Sequence, residues 1–587
     1  MPVSRVARIL EPFFVIRPGH SMGSFPLFAG VALLTLAAPF ELTAPLVRLP
    51  RQSISSLETA VIAAFAAAAI AAVRTRRLPE WRTPLTAPWI ALLAAMLVAS
   101  LASPVSRLNA LHMTGRVGAA LGVYLLTVNG VTTARRLRVV LALALAVGLA
   151  VAVLAILEFL GVEPVLAWLK AFRPSVSTVG AQVRAGGPLQ YPTIASMYLE
   201  VVFAFGLGVL LAELDARHTP AVVAIAIALL VIAEGIVVTF TRAGVITMAA
   251  SLALVIAARV SANGLDRGAR LVASLAVIVA ALFLTSRSAQ AMWLRMTTEG
   301  QEAWYRAEID APDELELPTG RNTVVPVAVT NTGRLAWDST ASPPITLSYH
   351  WLGEDGDRFV AFENVRTPFA DVVEPDDTAR VDVTVRPPRQ PGRYRLEWDL
   401  VQEGRLWFST EPGAARQMSR VTITGDAADA PIVAAIPAPK RTVRPGRFTL
   451  WRAAVRMVAT HPLVGVGPDN FRLAYGSYAG VAAADPRTHS NNMYLEVLAG
   501  GGLLAFAAFA WLLWRASDCV RTGLRLAAGH GHAATVGVAA AAIAIALHAT
   551  VDSFLSFAPT YVLFSLTLGC AVACARGVES RFDANRV

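Results

Sequence analysis

Three polar interruptions in an otherwise apolar chain hold the side chains best suited to chemistry. VRAGGPLQYPT carries Arg184 in a Gly- and Pro-rich loop, and VVTFTRAGVITM carries Arg242 in a connection of a few residues between two apolar runs. A third segment starts near Arg452 and runs through HPLVGVGPDNF to THSNNMYLEVLAGGGLL, placing His489 just ahead of another apolar run. Guanidinium groups bind oxyanions through paired hydrogen bonds, and imidazole exchanges protons near neutral pH. Each residue also has a plainer reading. An arginine at a membrane boundary is costly to desolvate and faces protein or a water-filled cavity, or it snorkels to lipid phosphates as an anchor. Arg184 also reads as a solvated loop arginine, and His489 as a polar residue capping a helix.

Other motifs carry less. Gly465 and Gly467 in GVGPDNF suggest a phosphate cradle, but no βαβ unit surrounds them, so a tight turn with close backbone packing is the better reading. His548 and Asp552 lie four residues apart and share a helix face, either supporting a site or pairing two helices. Asn492 is suited to fix the start of a helix through side-chain hydrogen bonds. No DxD-like acidic pair lies in an outer loop near these residues and the remaining histidines are scattered, so neither a metal nor a cofactor is expected.

The elements that must position these residues are membrane helices. Hydrophobic residues make up 55% of the chain and charged residues 16%, with a mean hydropathy of +0.54, which places most of the chain in lipid. With about 20 apolar residues needed per span, helices are expected near 25–44, 57–73, 87–102, 115–131, 139–160, 194–212, 221–238, 243–258, 271–285, 493–514, 533–551 and 558–575, about twelve in all. The net charge of +10 comes from arginines in short loops, not from a basic face, so nucleic acid is not an expected partner. Loops holding Arg74, Arg76, Arg77 and Arg82, then Arg135, Arg136 and Arg138, then Arg259, Arg267 and Arg270, then Arg515, Arg521 and Arg525 alternate with poorly charged ones. With Arg5, Arg8 and Arg17 they place both termini in the cytoplasm. The first span reads as an uncleaved anchor. Cys519, Cys570 and Cys574 lie in or beside the last spans, so no disulfide is expected in the polar insert.

That insert breaks the pattern. Between residues 313 and 424, TVVPVAVTNTG, ITLSYHWL, ARVDVTVRPP, GRYRLEWDLV, RLWFST and SRVTIT alternate in the manner of short strands and predict an extracytoplasmic β-sandwich of immunoglobulin type. The expected division is transmembrane helices over 1–290, a connector over 291–312, the sandwich over 313–424, a linker and extracytoplasmic active-site loop over 425–490, and the last three spans over 491–587. Trp337, Trp351, Trp398 and Trp407 either fill the sandwich core and rim or stack on sugar rings.

In this order, RAGGPLQYPTIA, TFTRAG, HPLVGVGPDNF and HSNNMYLEVLAGGGLL resemble the O-antigen ligase and O-antigen polymerase superfamily of bacterial membrane glycosyltransferases, across nearly the whole membrane portion but not the sandwich. The resemblance implies a GT-C-like fold in the cytoplasmic membrane. It also implies metal-independent transfer of a glycan from undecaprenyl diphosphate, at the outer face, to an acceptor lipid, glycan or protein. Arg184 and Arg242 would then bind the diphosphate, with Arg242 also catalytic, and His489 would be the base, acting as a neutral imidazole, with Asn492 supporting it. Family members often place the histidine two residues later, where this chain has Asn491; HSNN is read as a variant whose first histidine is the active one. A polymerase joining lipid-linked repeat units shares every one of these features. A multi-pass transporter is the rival of a different class, against which stand the missing inverted repeat and the clustering of polar residues at one face.

Overall fold

The computed structural model describes residues 25–49, 52–76, 78–173, 177–179, 182–285, 292–293, 295–296, 303–341, 343–356, 358–403, 406–411, 416–425, 436–437, 445–481, 484–526 and 533–577. Arg5, Arg8, Arg17, Arg77 and most of the segment 425–439 lie outside these residues. The described residues begin with α1 (Phe25–Ala37), a hairpin of β1 (Val47–Leu49) and β2 (Gln52–Ile54), α2 (Ser56–Thr75), α3 (Thr86–Leu101), α4 (Arg107–Gly130) and α5 (Ala134–Phe159). A short α6 (Glu163–Leu169) and a second hairpin, β3 (Ser177–Val179) with β4 (Gln182–Arg184), precede α7 (Pro192–Asp215), α8 (Thr219–Val237), α9 (Arg242–Asn263) and α10 (Arg267–Thr285).

Helix starts follow local rules. Ser55 and Glu58 form a capping box on α2, and the Thr133 side chain accepts from the Arg136 amide at the start of α5. The most apolar stretch of α7 is wholly buried, which makes α7 the axis of the bundle. Peripheral helices leave apolar side chains such as Ile62, Ile70, Ile90, Leu97, Ile227 and Ile246 exposed, as expected where the surrounding solvent is hydrocarbon.

The insert forms two sheets around one apolar core. Its strands are β5 (Glu308–Asp310), β6 (Glu314–Pro318), β7 (Thr323–Thr330), β8 (Ile345–Gly353), β9 (Arg358–Ala361), β10 (Thr378–Val385), β11 (Gly392–Gln402), β12 (Leu406–Trp407), β13 (Gln417–Thr424) and β14 (Ile436–Pro437). One sheet runs β10-β7-β5 and the other β14-β9-β8-β11-β13-β6. β8 and β11 pair antiparallel from Gly353↔Tyr394 to Ile345↔Gln402, whereas β13 and β6 pair in parallel. The strands start at Glu308, ahead of the boundary expected at 313. Trp337, Trp351 and Trp398 are buried in this core, and Trp407 packs at its edge against His350 and Phe362.

After the insert come α11 (Arg447–Thr460), α12 (Phe471–Ala479), α13 (Met493–Leu526), α14 (Ala533–His548) and α15 (Ala558–Ala575). The stretch expected as linker and loop therefore carries two helices where it is described. Among the described residues, nine helices (α2, α4, α5, α7, α8, α9, α10, α13 and α15) are long and apolar enough to cross a membrane, and the shorter apolar α1, α3 and α14 stand at the other three expected positions. The chain is a polytopic helical membrane protein. None of the three cysteines forms a disulfide, and all three are buried.

The sandwich does not stand apart from the bundle. Its core cluster takes in Phe240 and Met292, and Phe159, Val245 and Phe283 from the ends of membrane helices pack against it. An appended domain would have ended at its own strands.

Candidate active site

At one end of the bundle, buried carboxylates set the loops that carry the candidate residues. Glu158, at the end of α5, accepts from the amides of Gly186 (3.1 Å) and Gly187 (2.9 Å) and is ion-paired to Arg173. A buried carboxylate is tolerated only when paired and hydrogen-bonded in this way, and here it shapes the turn after Arg184. The Ala185 amide donates to the Val238 carbonyl at 3.0 Å, which brings the loop against the turn joining α8 to α9.

Arg184 then reaches that turn directly. Its Nε donates to the Thr239 carbonyl at 3.1 Å and its Nη2 to Thr241 Oγ1 at 3.4 Å, while Arg242 is the first residue of α9. Phe240 between them holds a left-handed φ of 51°, a costly conformation for an aromatic residue and one that concentrates at functional sites. Below Arg242, Glu200 of α7 accepts from Ser196 Oγ (2.6 Å), from Thr247 of α9 and from His548 Nδ1 of α14 (3.0 Å). This buried network fixes three helices relative to one another beneath the arginines. His548 also faces Asp552 at 3.8 Å, an ion-pair contact longer than a hydrogen bond.

Two more guanidinium groups join the pair expected from sequence. Arg295 donates through Nε to the Phe240 carbonyl at 2.7 Å, and Arg447 opens α11. Burial, and then the like charges of Arg447 and Arg242, pull Arg184 down to about 10 against the opposing effect of Asp552. Burial and the charge of Arg242 also pull Arg447 below the usual arginine range, although much of its surface stays exposed. Burial pushes the Asp552 carboxyl up, but the His548 imidazole more than reverses this and holds it low.

His489 lies on the same end of the molecule, joined electrostatically to Asp552. Its Nδ1 sits 3.2 Å from Glu496 Oε1 and 4.0 Å from Asp469 Oδ1. Burial pushes the imidazole down, and the Glu496 hydrogen bond with the charges of Glu496, Asp469 and Asp552 raises it above its ordinary value. The imidazole expected to be neutral therefore sits in surroundings that favour its protonated form. With Nδ1 engaged by Glu496, Nε2 is the ring nitrogen left for a substrate.

The supports of His489 are dense. The other Glu496 oxygen accepts from the Ser490 amide at 2.9 Å, and Trp451 Nε1 donates to the Ser490 carbonyl at 3.1 Å. Asn492 caps α13 by accepting from the Leu495 amide at 3.0 Å, and its Nδ2 donates to the Thr550 carbonyl at 3.0 Å, tying the start of α13 to the end of α14. Asn491 takes a left-handed φ of 52° and Asp469 one of 62°. Gly465, at φ 64°, has room for no side chain, since a Cβ there would lie 2.4 Å from the Ala499 carbonyl oxygen. The glycines of GVGPDNF are thus turn and packing glycines.

Asp469, His489 and Glu496 bring one ligand atom each within 4.8 Å of one another, a juxtaposition absent from the linear sequence. Asp469 is also bound by Arg472 Nε (2.9 Å) and Asn109 Nδ2 (3.1 Å), so both carboxylates are matched by cationic partners and the group reads as an ion-pair network. The structure brings Arg184, Arg242, His489 and Asn492 to one end of the bundle. Arg295, Arg447, Asp469 and Glu496 were not anticipated there. Glu496 had a signal, being the charged residue of an apolar run; Arg295 had none beyond its place after a span.

No curated protein matches the chain. Residues 417–510, which run from the last long strand of the sandwich through Arg447, Asp469, His489, Asn492 and Glu496 into α13, match the family model described as O-antigen ligase, and this match supports membership of the O-antigen ligase superfamily.

Proposed function

We propose that the protein is an O-antigen ligase-like glycosyltransferase of GT-C type, working at the outer face of a bacterial cytoplasmic membrane. It moves a glycan from undecaprenyl diphosphate to an acceptor hydroxyl. The meeting of Arg184 with the turn that opens into Arg242, at the same end of the bundle as His489 on its Glu496 and Asp469 partners, carries this reading. The acceptor oxygen attacks the anomeric carbon, the bond from that carbon to the diphosphate breaks, and the acceptor proton passes to His489 Nε2. Negative charge growing on the leaving diphosphate is bound by Arg184, Arg242 and Arg447, where preorganised cations act most strongly. Glu496 orients the imidazole and stabilises its charged form, as the carboxylate does in a Ser-His-Asp triad. The arginines take the part a divalent ion plays elsewhere, so turnover is expected to persist in chelator.

Twelve spans, cytoplasmic termini and an immunoglobulin-like extracytoplasmic sandwich complete the proposal. A polymerase would use the same donor chemistry with a lipid-linked glycan as acceptor. Purified protein given lipid-linked glycan with either lipid A or a second lipid-linked glycan distinguishes the two by product. Arg242→Ala and His489→Ala should each abolish surface polysaccharide at normal protein abundance; normal glycan ladders from both would overturn the site.

A further inference from the structure

Three guanidinium groups meet at the turn 239–242, and one of them is delivered by the chain that leads into the sandwich. Thr239 and Phe240 offer consecutive carbonyls, the first to Arg184 Nε at 3.1 Å and the second to Arg295 Nε at 2.7 Å, two residues ahead of Arg242. Arg295 carries no other hydrogen bond or ion pair among the described residues, so its two terminal nitrogens have no partner there. Burial, and then the charges of Arg184, Arg242 and Arg447, all of its own sign, pull it down to about 8. A carbonyl cap could be supplied by any neutral donor. A cation placed among three others costs energy unless an anion joins them.

The position of Arg295 is set by the sandwich. Phe240, fully buried at its left-handed φ, is part of the same apolar cluster as Met292, Trp304, Trp337 and Phe408. The cluster therefore grips both the residue whose carbonyl holds Arg295 and the segment, at Met292, from which Arg295 projects.

We propose that Arg295 is a further binding residue for the donor's diphosphate, held in place by the β-sandwich through Phe240. This rests on the reading of the arginine cluster as a diphosphate site. Its consequence is that the sandwich is part of the donor site and is not a detachable accessory.

The test uses the full chain in nanodiscs with inorganic pyrophosphate as the probe, and phosphatidylglycerol in mixed micelles as a competitor. Arg295→Gln is expected to weaken pyrophosphate binding about 10-fold or more, the loss typical of a charge-assisted hydrogen bond. Phe240→Ala is expected to weaken it in the same direction, and Phe240→Leu, which keeps an apolar plug, to leave it close to wild type. If the Ala variant misfolds, binding by Arg295→Gln decides the matter alone. Wild-type binding in Arg295→Gln beside clear loss in Arg242→Gln would overturn the role of Arg295 and leave the diphosphate site standing. Unchanged binding in both would overturn the site itself. Loss of phosphatidylglycerol binding alone would assign Arg295 to membrane headgroups and overturn the proposal.

Discussion

Replacing Glu496 by Gln isolates the charge of the His489 partner. The amide keeps the shape and one acceptor, so the contact survives while the carboxylate is lost. At the 3.2 Å separation of Nδ1 and Oε1, a carboxylate and an imidazolium attract by about 1 kcal/mol in bulk water and about 5 kcal/mol at an effective dielectric near 20. With a tenfold rate change per ~1.4 kcal/mol, turnover should fall between about 5-fold and about 5,000-fold. The pair is largely buried, with side-chain exposures of 14% and 6%, which favours the upper part of that range. The sign of the pH effect is fixed by the same contact. Glu496 raises the His489 pKa, a base works only when deprotonated, and activity is therefore lost as pH falls through that raised value. Removing the carboxylate lowers the imidazole pKa, so the acidic limb of kcat moves to lower pH. The assay follows release of undecaprenyl diphosphate from lipid-linked glycan across pH. A variant with wild-type turnover and an unmoved acidic limb would show that Glu496 does not act on His489.

Further outcomes follow from the geometry. Arg184→Gln and Arg242→Gln should each lower kcat/KM about 10- to 100-fold, as loss of charge-assisted hydrogen bonds does; Lys at either place should rescue only in part, because it lacks the guanidinium fork. Asn492→Ala removes the cap on α13 and its tie to Thr550, and should destabilise the chain by about 1 kcal/mol, read as a lower Tm in detergent. Gly502→Ala should sharply reduce folded protein in the membrane. At φ 65°, a Cβ there would lie 2.3 Å from the Leu463 backbone, and normal abundance would show that α13 and the HPLVGVG turn are not packed this closely.

The local sequence determined the solvent and the repeating unit. Long apolar runs require lipid, and alternating residues between 313 and 424 make strands, both of which depend on neighbours within a few positions. Arg184, Arg242 and His489 were legible for the same reason, since a charged or titratable group beside an apolar run is conspicuous wherever the chain later folds. What surrounds them was not legible. Glu158 shapes the turn after Arg184 from 28 residues away, and Glu200 meets His548 across 348 positions. Arg295 reaches the Phe240 carbonyl across 55. Such pairings are set by helix packing, and only the assembled bundle decides which buried carboxylate has a cationic partner. The same holds for His489: its residue type shows that it titrates, but Asp469 and Glu496 raise its pKa only once α13 and the GVGPDNF turn lie side by side. The tie between the sandwich and the turn 239–242 is the clearest case, because Phe240 reads in sequence as one more apolar residue and joins the apolar core of a domain inserted far downstream.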